Sequence, residues 1–151
     1  MDVSEAIEKA SNSSDVKNLK SYFLCSCFAC IKKMDEKIDH WTLLYYDEKA
    51  KKVVDCFVNS EFVTIGDETP PIAEIERPNF DDLQINAEDA IEIAARNYRK
   101  SPLNILLTLH QNPLKWTVNF ISGDFIATTV DVDAKSGKIL RKEETSLVRR
   151  L

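Results

Sequence analysis

Glycine is scarce in this chain of 151 residues, and histidine is scarcer still. The only glycines are Gly66, Gly123 and Gly137. Because they lie so far apart, they cannot form the glycine-rich loop that holds a nucleotide phosphate, and the common nucleotide-binding motifs are excluded. His40 and His110 are the only histidines. No pattern around either of them predicts a Ser–His–Asp or Cys–His catalytic group.

The chain also lacks a basic stripe and a long apolar segment. Its formal net charge is −5, whereas nucleic-acid-binding proteins carry clustered positive charge, so no nucleic-acid partner is expected. The basic cluster at residues 149–150 is predicted to be a solvated chain end. No run is apolar and long enough to cross a membrane, and the acidic segment after Met1 is unlike a signal peptide. If Met1 is the native start, we expect a cytoplasmic protein.

Three short patterns occur twice in the chain, in the same order. Such a repeat indicates two copies of one structural unit. A helical pattern followed by consecutive strands with short turns predicts a helix on an antiparallel sheet. We therefore predict an α+β fold of two repeated modules, each with one helix packed on an antiparallel β-meander of three or four strands. The paired patterns are DVSEAIEKA (2–10) with NAEDAIEIA (86–94), WTL (41–43) with WTV (116–118), and DEKAKKVV (47–54) with DAKSGKIL (133–140).

The repeat places the module boundaries. The first module is predicted to occupy residues 1–66 and the second residues 85–151. A linker with three prolines, residues 67–84, separates them, because proline removes backbone donors and stops regular structure. Residues 53–65 are interpreted as one bent strand, so the first module is predicted to lack a strand that the second has. The polar residues 11–15 are predicted to break the first helix without forming another.

The two helices have predicted caps. Asp2 precedes the first helix, and Glu5 stands where a capping box requires an acid. Asn86 is predicted to cap the second helix. At the strand-end turn of the second module, Gly137 is predicted to supply a positive φ. Lys51 stands at the corresponding position of the first module.

The second copy resembles a PepSY domain. The resemblance rests on a helix with paired acids and alanines (88–94), a strand bearing Trp116, and a strand that ends in an Asp–x–x–x–Gly turn (130–140). It covers about residues 85–143, whereas the first copy is degenerate because it lacks the turn glycine. The resemblance implies a non-enzymatic module that binds or restrains partner proteins, peptidases among them. It implies no catalytic residue, and members of this family usually lie outside the cytoplasm.

The cysteines are the remaining candidates for chemistry: Cys25, Cys27, Cys30 and Cys56. Four thiolates can hold Zn²⁺, but zinc sites favour two C-x2–4-C pairs on turns. Alternation along a strand predicts that Cys25 and Cys27 share one face and that Cys30 lies on the other. Packing as small buried apolar residues is the favoured interpretation. The alternatives are metal binding by all four, and a disulfide or redox switch that pairs Cys56 with Cys25 or Cys27 on a neighbouring strand.

Trp41 and Trp116 occupy matching positions in the two copies. Aromatic residues often anchor protein interfaces, but the alternating apolar neighbours favour a core position between helix and sheet.

Asp131 and Asp133 suggest a calcium loop only at first sight. The sixth and twelfth positions of such a loop need glycine and glutamate, and neither is present.

We therefore expect a binding protein that is not an enzyme and has no cofactor. Its working surface is expected to be an open sheet face or an edge strand, since an edge accepts a partner strand through main-chain hydrogen bonds. The same edge could build a homodimer. Two other hypotheses stay open: a thiol-based metal or redox protein, and a carrier that holds a small ligand between helix and sheet.

Overall fold

A computed structural model describes residues 1–71 and 73–148 of the chain. Residues 149–150, predicted as a solvated basic end, lie outside the described part. Along the chain the structure has α1 (Val3–Ser11), α2 (Ser14–Lys17), β1 (Phe23–Ile31), β2 (His40–Asp47), β3 (Lys52–Asn59), β4 (Val63–Thr69), a 3-10 turn (Phe80–Asp82), α3 (Ala87–Ala95), β5 (Pro102–His110), β6 (Lys115–Ser122), β7 (Ile126–Asp133) and β8 (Ile139–Ser146).

The eight strands form one antiparallel sheet in the order β4-β3-β2-β1-β5-β6-β7-β8. Strands β1 to β4 each pair with their neighbours in sequence, as do strands β5 to β8. The two sets meet where β1 pairs with β5, for example Ala29 opposite Leu107. The predicted α+β class with antiparallel strands is confirmed, and the sheet is continuous across the middle of the chain.

Helices α1 and α3 lie on the same face of the sheet. Each is nine residues long, and in the described residues no helix is long and apolar enough to cross a membrane. Their alanine-rich faces allow the helix backbones to approach the strands closely. Both helices belong to one hydrophobic core with the strand residues beneath them. The buried helical residues are Val3, Ala6, Ala10, Ala87, Ala90, Ile91 and Ala94.

The two tryptophans lie in the middle of this core. Trp41 on β2 and Trp116 on β6 are both fully buried, and their ring centroids are 5.9 Å apart. Strands β1 and β5 lie between them, and the small side chains Cys27 and Ala29 on β1 leave room for the two indoles to meet. Each indole N–H donates to a backbone carbonyl that precedes a helix. Their core position is therefore confirmed, and neither indole is free to anchor a partner.

The first half of the chain has four strands, so the prediction of a missing strand is wrong. The segment 53–65 divides at Asn59, whose side-chain Oδ1 accepts from the backbone N–H groups of Glu61 and Phe62 at 2.9 and 2.8 Å. This asparagine turn reverses the chain and starts β4. Strand β4 continues to Thr69, three residues beyond the predicted end of the first module.

The predicted helix caps are only partly observed. Asn86 Oδ1 accepts from the N–H of Asp89 at 2.8 Å, as predicted. Asp2 makes no side-chain capping bond, so the expected capping box at α1 is wrong. The segment predicted to be a simple break contains the short helix α2. The Ser13 hydroxyl caps α2 by accepting from the N–H of Val16 at 3.3 Å.

Candidate functional site

The sheet has a second face that points away from the helices, and we call it the open face. Because side chains alternate along a strand, residues that neighbour the buried core positions project to this side. Opposed positions form rows across the strands, for example Thr42, Phe28, Thr108 and Thr117. The centre of the face mixes apolar and polar side chains of intermediate exposure: Phe28, Cys30, Thr42, Leu106, Thr108, Thr117, Asn119 and Thr129.

One end of the open face is covered by the chain between β4 and α3. We call residues 73–77 the strap. Arg77 stacks its guanidinium over the ring of Phe23 at 5.3 Å, and Glu76 Oε2 accepts from the N–H of Asn112 at 3.4 Å. Cavities of about 440, 230 and 250 Å³ lie between this stretch of chain and the sheet. Within the strap, Ile75 packs against a small apolar cluster of Phe23, Cys25, Leu44, Tyr46 and Val53.

A β-bulge in β1 decides where the cysteines lie. Leu24 pairs with Tyr45, and Ser26 pairs with Leu44, which leaves Cys25 as the extra residue. Cys25 therefore joins the cluster beneath the strap, while Cys27 lies in the core on the helix side. The prediction that these two cysteines share a face is wrong, because the bulge reverses the alternation between them.

The alternative of a disulfide between Cys56 and Cys25 or Cys27 does not fit the structure. Cys27 on β1 and Cys56 on β3 both lie opposite Leu43 of β2. Two strand spacings separate them by roughly 10 Å, whereas a disulfide needs Cα atoms within about 7 Å. Cys25 cannot serve instead, because it lies on the other face. All four cysteines are free.

The thiols are arranged as packing residues. Burial raises the pKa of Cys25 and of Cys56 to about 11 and raises the pKa of Cys27 as well. A buried thiol that stays protonated is a poor nucleophile and a poor metal ligand. Within residues 1–71 and 73–148, no three His, Cys, Asp or Glu side chains converge in a way that could hold a metal ion.

His110 belongs to a hydrogen-bonded row on the open face. The Thr117 hydroxyl donates to Asp131 Oδ1 at 2.8 Å, so its oxygen accepts from Nε2–H of His110 at 2.7 Å. Burial lowers the pKa of His110, and the neighbouring Lys115 lowers it further. A neutral imidazole that donates to the hydroxyl cannot also remove its proton. The row therefore orients side chains and does not activate Thr117.

Asp131 is the most buried charge on this face, with only 2% of its side chain exposed. Its Oδ2 accepts from Lys115 Nζ at 3.1 Å and from Arg141 Nε at 3.0 Å. Burial alone would raise the pKa of Asp131, but the Thr117 hydroxyl and the two cations outweigh it and hold the pKa below its ordinary value. Asp131 thus ties three neighbouring strands together by ion pairs, which is a structural role and not that of a calcium ligand.

Cys25 and His110 line the same cavity of about 230 Å³, which is the nearest approach to a catalytic pair on this face. The Cys25 thiol, however, donates to the backbone oxygen of Leu44 at 3.2 Å. Activation of a thiol requires its proton to be directed to a base. The geometry here favours recognition by shape and hydrogen bonding over covalent chemistry.

Sequence reasoning missed the residues at the centre of the open face. Thr108, Thr117 and Asn119 alternate with buried apolar residues, a pattern that predicts only which side faces the core. The pairing of β1 with β5 brings Phe28 and Thr108 side by side. The signal that could have suggested this surface is the mixture of threonine with large apolar residues at outward positions, in place of the usual charges.

Comparisons with known proteins match this architecture. The family model of the peptidase propeptide and YPEB domain, PepSY, matches residues 84–143, which contain α3 and most of the strand set β5 to β8. A solved structure from Clostridium difficile 630, described as a "putative lipoprotein", is 13% identical with a TM-score of 0.62. The match covers 96% of this chain and 93% of that one, so the similarity in fold extends over both halves. No curated protein matches the chain.

Proposed function

We propose that this protein is a non-enzymatic regulatory module that binds a protein or peptide on the open face of its sheet. The observation that carries the proposal is the centre of that face, where Phe28, Leu106 and Thr108 lie half-buried beside one another. Such a surface is rigid, because each side chain stands on a strand fixed by neighbours on both sides. It is also partly apolar, and partner binding would complete its burial.

The composition of this surface suits a protein partner. Interfaces of reversible complexes combine apolar contact with hydrogen bonds and have few charges at their centre. Thr42, Thr108 and Asn119 offer hydroxyl and amide groups, while Phe28 and Leu106 offer apolar contact. The charged groups lie at the periphery, where they favour encounter and orientation more than affinity.

Restraint of a peptidase is the form of regulation that we propose for this surface. The family that matches residues 84–143 is described by its occurrence in peptidase propeptides. Those residues supply five of the eight side chains at the centre of the open face: Leu106, Thr108, Thr117, Asn119 and Thr129. A sheet laid against an enzyme would obstruct access to its active site without performing chemistry of its own.

We also propose that the two halves of the chain are copies of one module, with boundaries near residues 66 and 85. Two details support this proposal. Trp41 Nε1 donates to the carbonyl of Met1 at 2.9 Å, and Trp116 Nε1 donates to that of Ile85 at 2.8 Å. In each case the carbonyl precedes a helix that packs over the same indole.

The cytoplasmic location expected from the sequence stays a prediction, which fractionation of the source cells would check.

The two other hypotheses have less support. The thiol hypothesis needs its cysteines together, but β2 and the bulge at Cys25 keep them apart. The carrier hypothesis needs space between helix and sheet, where Trp41, Trp116 and Phe120 are fully buried. The cavities described above lie on the other face, beneath the strap.

The proposal can be tested by placing a charge at the centre of the open face. Thr108→Arg puts a long cation among half-buried side chains, and Asn97→Arg makes the same charge change at an exposed residue just after α3. The partner is first identified by crosslinking from a photoreactive residue at position 108. Binding of that purified partner is then measured by calorimetry, and its peptidase activity, if it has one, is measured with and without the protein.

We expect the Thr108→Arg variant to bind its partner at least about tenfold more weakly, because binding would remove water from the new guanidinium without giving it an opposite charge. The Asn97→Arg variant should bind as wild type does. Equal loss in both variants, or crosslinks that form equally from position 97, would contradict a site on the open face. Binding through the face without any effect on peptidase activity would remove only the peptidase part of the proposal.

A further inference from the structure

The last strand, β8, is an outer strand of the sheet, and all eight of its residues are exposed. Its inner edge pairs with β7, and its outer edge pairs with no other strand of the described chain. The N–H of Leu147 donates to the carbonyl of Phe125 at 2.8 Å, which directs the backbone groups of Arg141, Glu143 and Thr145 toward β7. The N–H and C=O groups of Lys142, Glu144 and Ser146 therefore point outward.

The charges on β8 change sign halfway along the strand. Arg141 and Lys142 are followed by Glu143 and Glu144. Charged side chains on an edge strand normally discourage pairing with other chains. A second β8 that runs antiparallel, however, places its acidic half opposite the basic half of the first. The edge thus repels most strands and matches a copy of itself.

We propose that the outer edge of β8 is a homodimer interface, in which β8 pairs antiparallel with β8 of a second copy around a two-fold axis at Glu143. A two-fold axis perpendicular to the sheet keeps equivalent side chains on the same face, so each residue must pair with one of the same parity. With the axis at Glu143, Lys142 lies opposite Glu144 of the second copy, and this pair occurs twice. Both residues belong to the outward set that supplies the main-chain hydrogen bonds.

The remaining side chains fit this register. Glu143 meets its own copy at the axis, and each Glu143 carboxylate is already bound by Arg141 Nη1 of its own chain at 2.9 Å, which limits the repulsion. Between Ile139 and Arg141 the pairing of β8 with β7 shifts by one residue, so the proposed register is carried by residues 141–146.

The opposite edge of the sheet does not offer the same match. Strand β4 carries Asp67 and Glu68 and no basic residue. Two copies of β4 would place only like charges near each other, which is destabilising for cross-strand neighbours. Because the proposed contact uses the edge of β8 on both copies, it closes at two chains. This interface leaves the centre of the open face uncovered, and so it is independent of the function proposed above.

The register is tested by reversing its charges one at a time. Lys142→Glu and Glu144→Lys each create two like-charge pairs across the interface, while the double variant Lys142→Glu/Glu144→Lys restores two opposite-charge pairs. Sedimentation velocity of the purified full chain over a wide concentration range measures the association. We expect wild type to dimerise and each single variant to associate more weakly, by a factor of up to about ten. The double variant should associate as tightly as wild type.

A mixture of the two single variants gives the sharpest result. One chain then carries acids at positions 142 and 144 and the other carries lysines, so the two should form a heterodimer although each alone associates more weakly than wild type. Far-UV circular dichroism identical to wild type confirms that the variants fold. A wild-type chain that stays monomeric, a dimer that neither single variant weakens, or assembly into chains longer than two would overturn the proposal.

Discussion

At position 51 a lysine adopts the backbone conformation that glycine adopts at position 137. The φ angles are 52° for Lys51 and 78° for Gly137, and both residues end a turn that begins with an aspartate. Asp47 Oδ1 accepts from two backbone N–H groups at 3.0 and 3.3 Å, and Asp133 Oδ1 does so at 2.8 and 2.9 Å. The same turn is thus built twice, once with the residue that suits it and once without.

Replacing this lysine by glycine should stabilise the protein. A residue with a side chain costs about 1 kcal/mol in the left-handed region, and glycine avoids this cost. Part of the gain is lost, because glycine gives the unfolded chain more conformational entropy than lysine does. We therefore expect Lys51→Gly to raise the free energy of unfolding by about 0.5 kcal/mol, measured by urea denaturation. Ala50→Gly in the same turn is the control and should lower it. A loss of stability in Lys51→Gly would contradict the strain described at this turn.

Asp131 should make stability depend on pH in the acid range. Its folded-state pKa lies below the ordinary value, so its contribution is present above the unfolded-state pKa of about 3.9 and is lost as the pH falls through the folded-state pKa. We expect Asp131→Asn to cost about 1–3 kcal/mol at neutral pH and the difference from wild type to shrink below about pH 4. Denaturation of both proteins from pH 7 to pH 3 measures this, with the exposed Asp35→Asn as control. A difference that is constant with pH would contradict it.

Among the elements, β1 shows most clearly how one extra residue changes the role of its neighbours. The bulge at Cys25 lets Cys27 and Ala29 stay in the core while Phe23 and Cys25 meet the strap. Without it, either the core residues or the strap cluster would face the wrong side. Cys30, near the far end of the strand, is the only cysteine that is not buried.

This distribution predicts the order in which the thiols react. Under native conditions we expect one fast-reacting thiol, Cys30, because the other three are buried and protonated; all four should react after unfolding. Titration with a chromogenic disulfide reagent measures the two phases. Cys30→Ser should remove the fast phase, and Cys56→Ser should leave it unchanged. Two or more fast thiols in the native protein would show that the bulge or the strap is displaced.

Several elements followed from the sequence because local chemistry determines them. The helical stripe from Ala87 to Ala94, the cap at Asn86 and the positive φ at Gly137 each depend on residues close in sequence. The position of the bulge at Cys25 was not predicted, and only a bend was predicted where the chain reverses at Asn59. An apolar run pairs equally well in either register until a neighbouring strand selects one. The open face was unpredictable for the same reason, since it depends on which strand lies beside β1.

At the scale of the whole molecule, the two tryptophans connect the halves of the chain. Trp41 and Trp116 touch across β1 and β5, so the apolar core is shared and neither half has a complete core alone. A chain with a shared core is expected to unfold in one cooperative step. The same arrangement makes a substitution in one half affect the other.

Trp41→Phe tests this coupling. The substitution removes the hydrogen bond to the Met1 carbonyl and part of the contact with Trp116, and we expect it to lower the free energy of unfolding by about 2 kcal/mol. Fluorescence of the remaining Trp116 and far-UV circular dichroism should give the same transition midpoint. Two separate transitions would indicate that the halves unfold independently, in contradiction to the shared core.

The strap also has a consequence for the direction in which a partner can lie. The two copies proposed above, joined through β1 and β5, would by themselves receive an elongated ligand equally well in either of two opposite directions. The strap occupies only the end of the face near Phe23 and Tyr46, and the corresponding end in the other half has no such cover within the described residues. A polypeptide bound along this surface would therefore have a single polarity, set by the protein's own connecting segment.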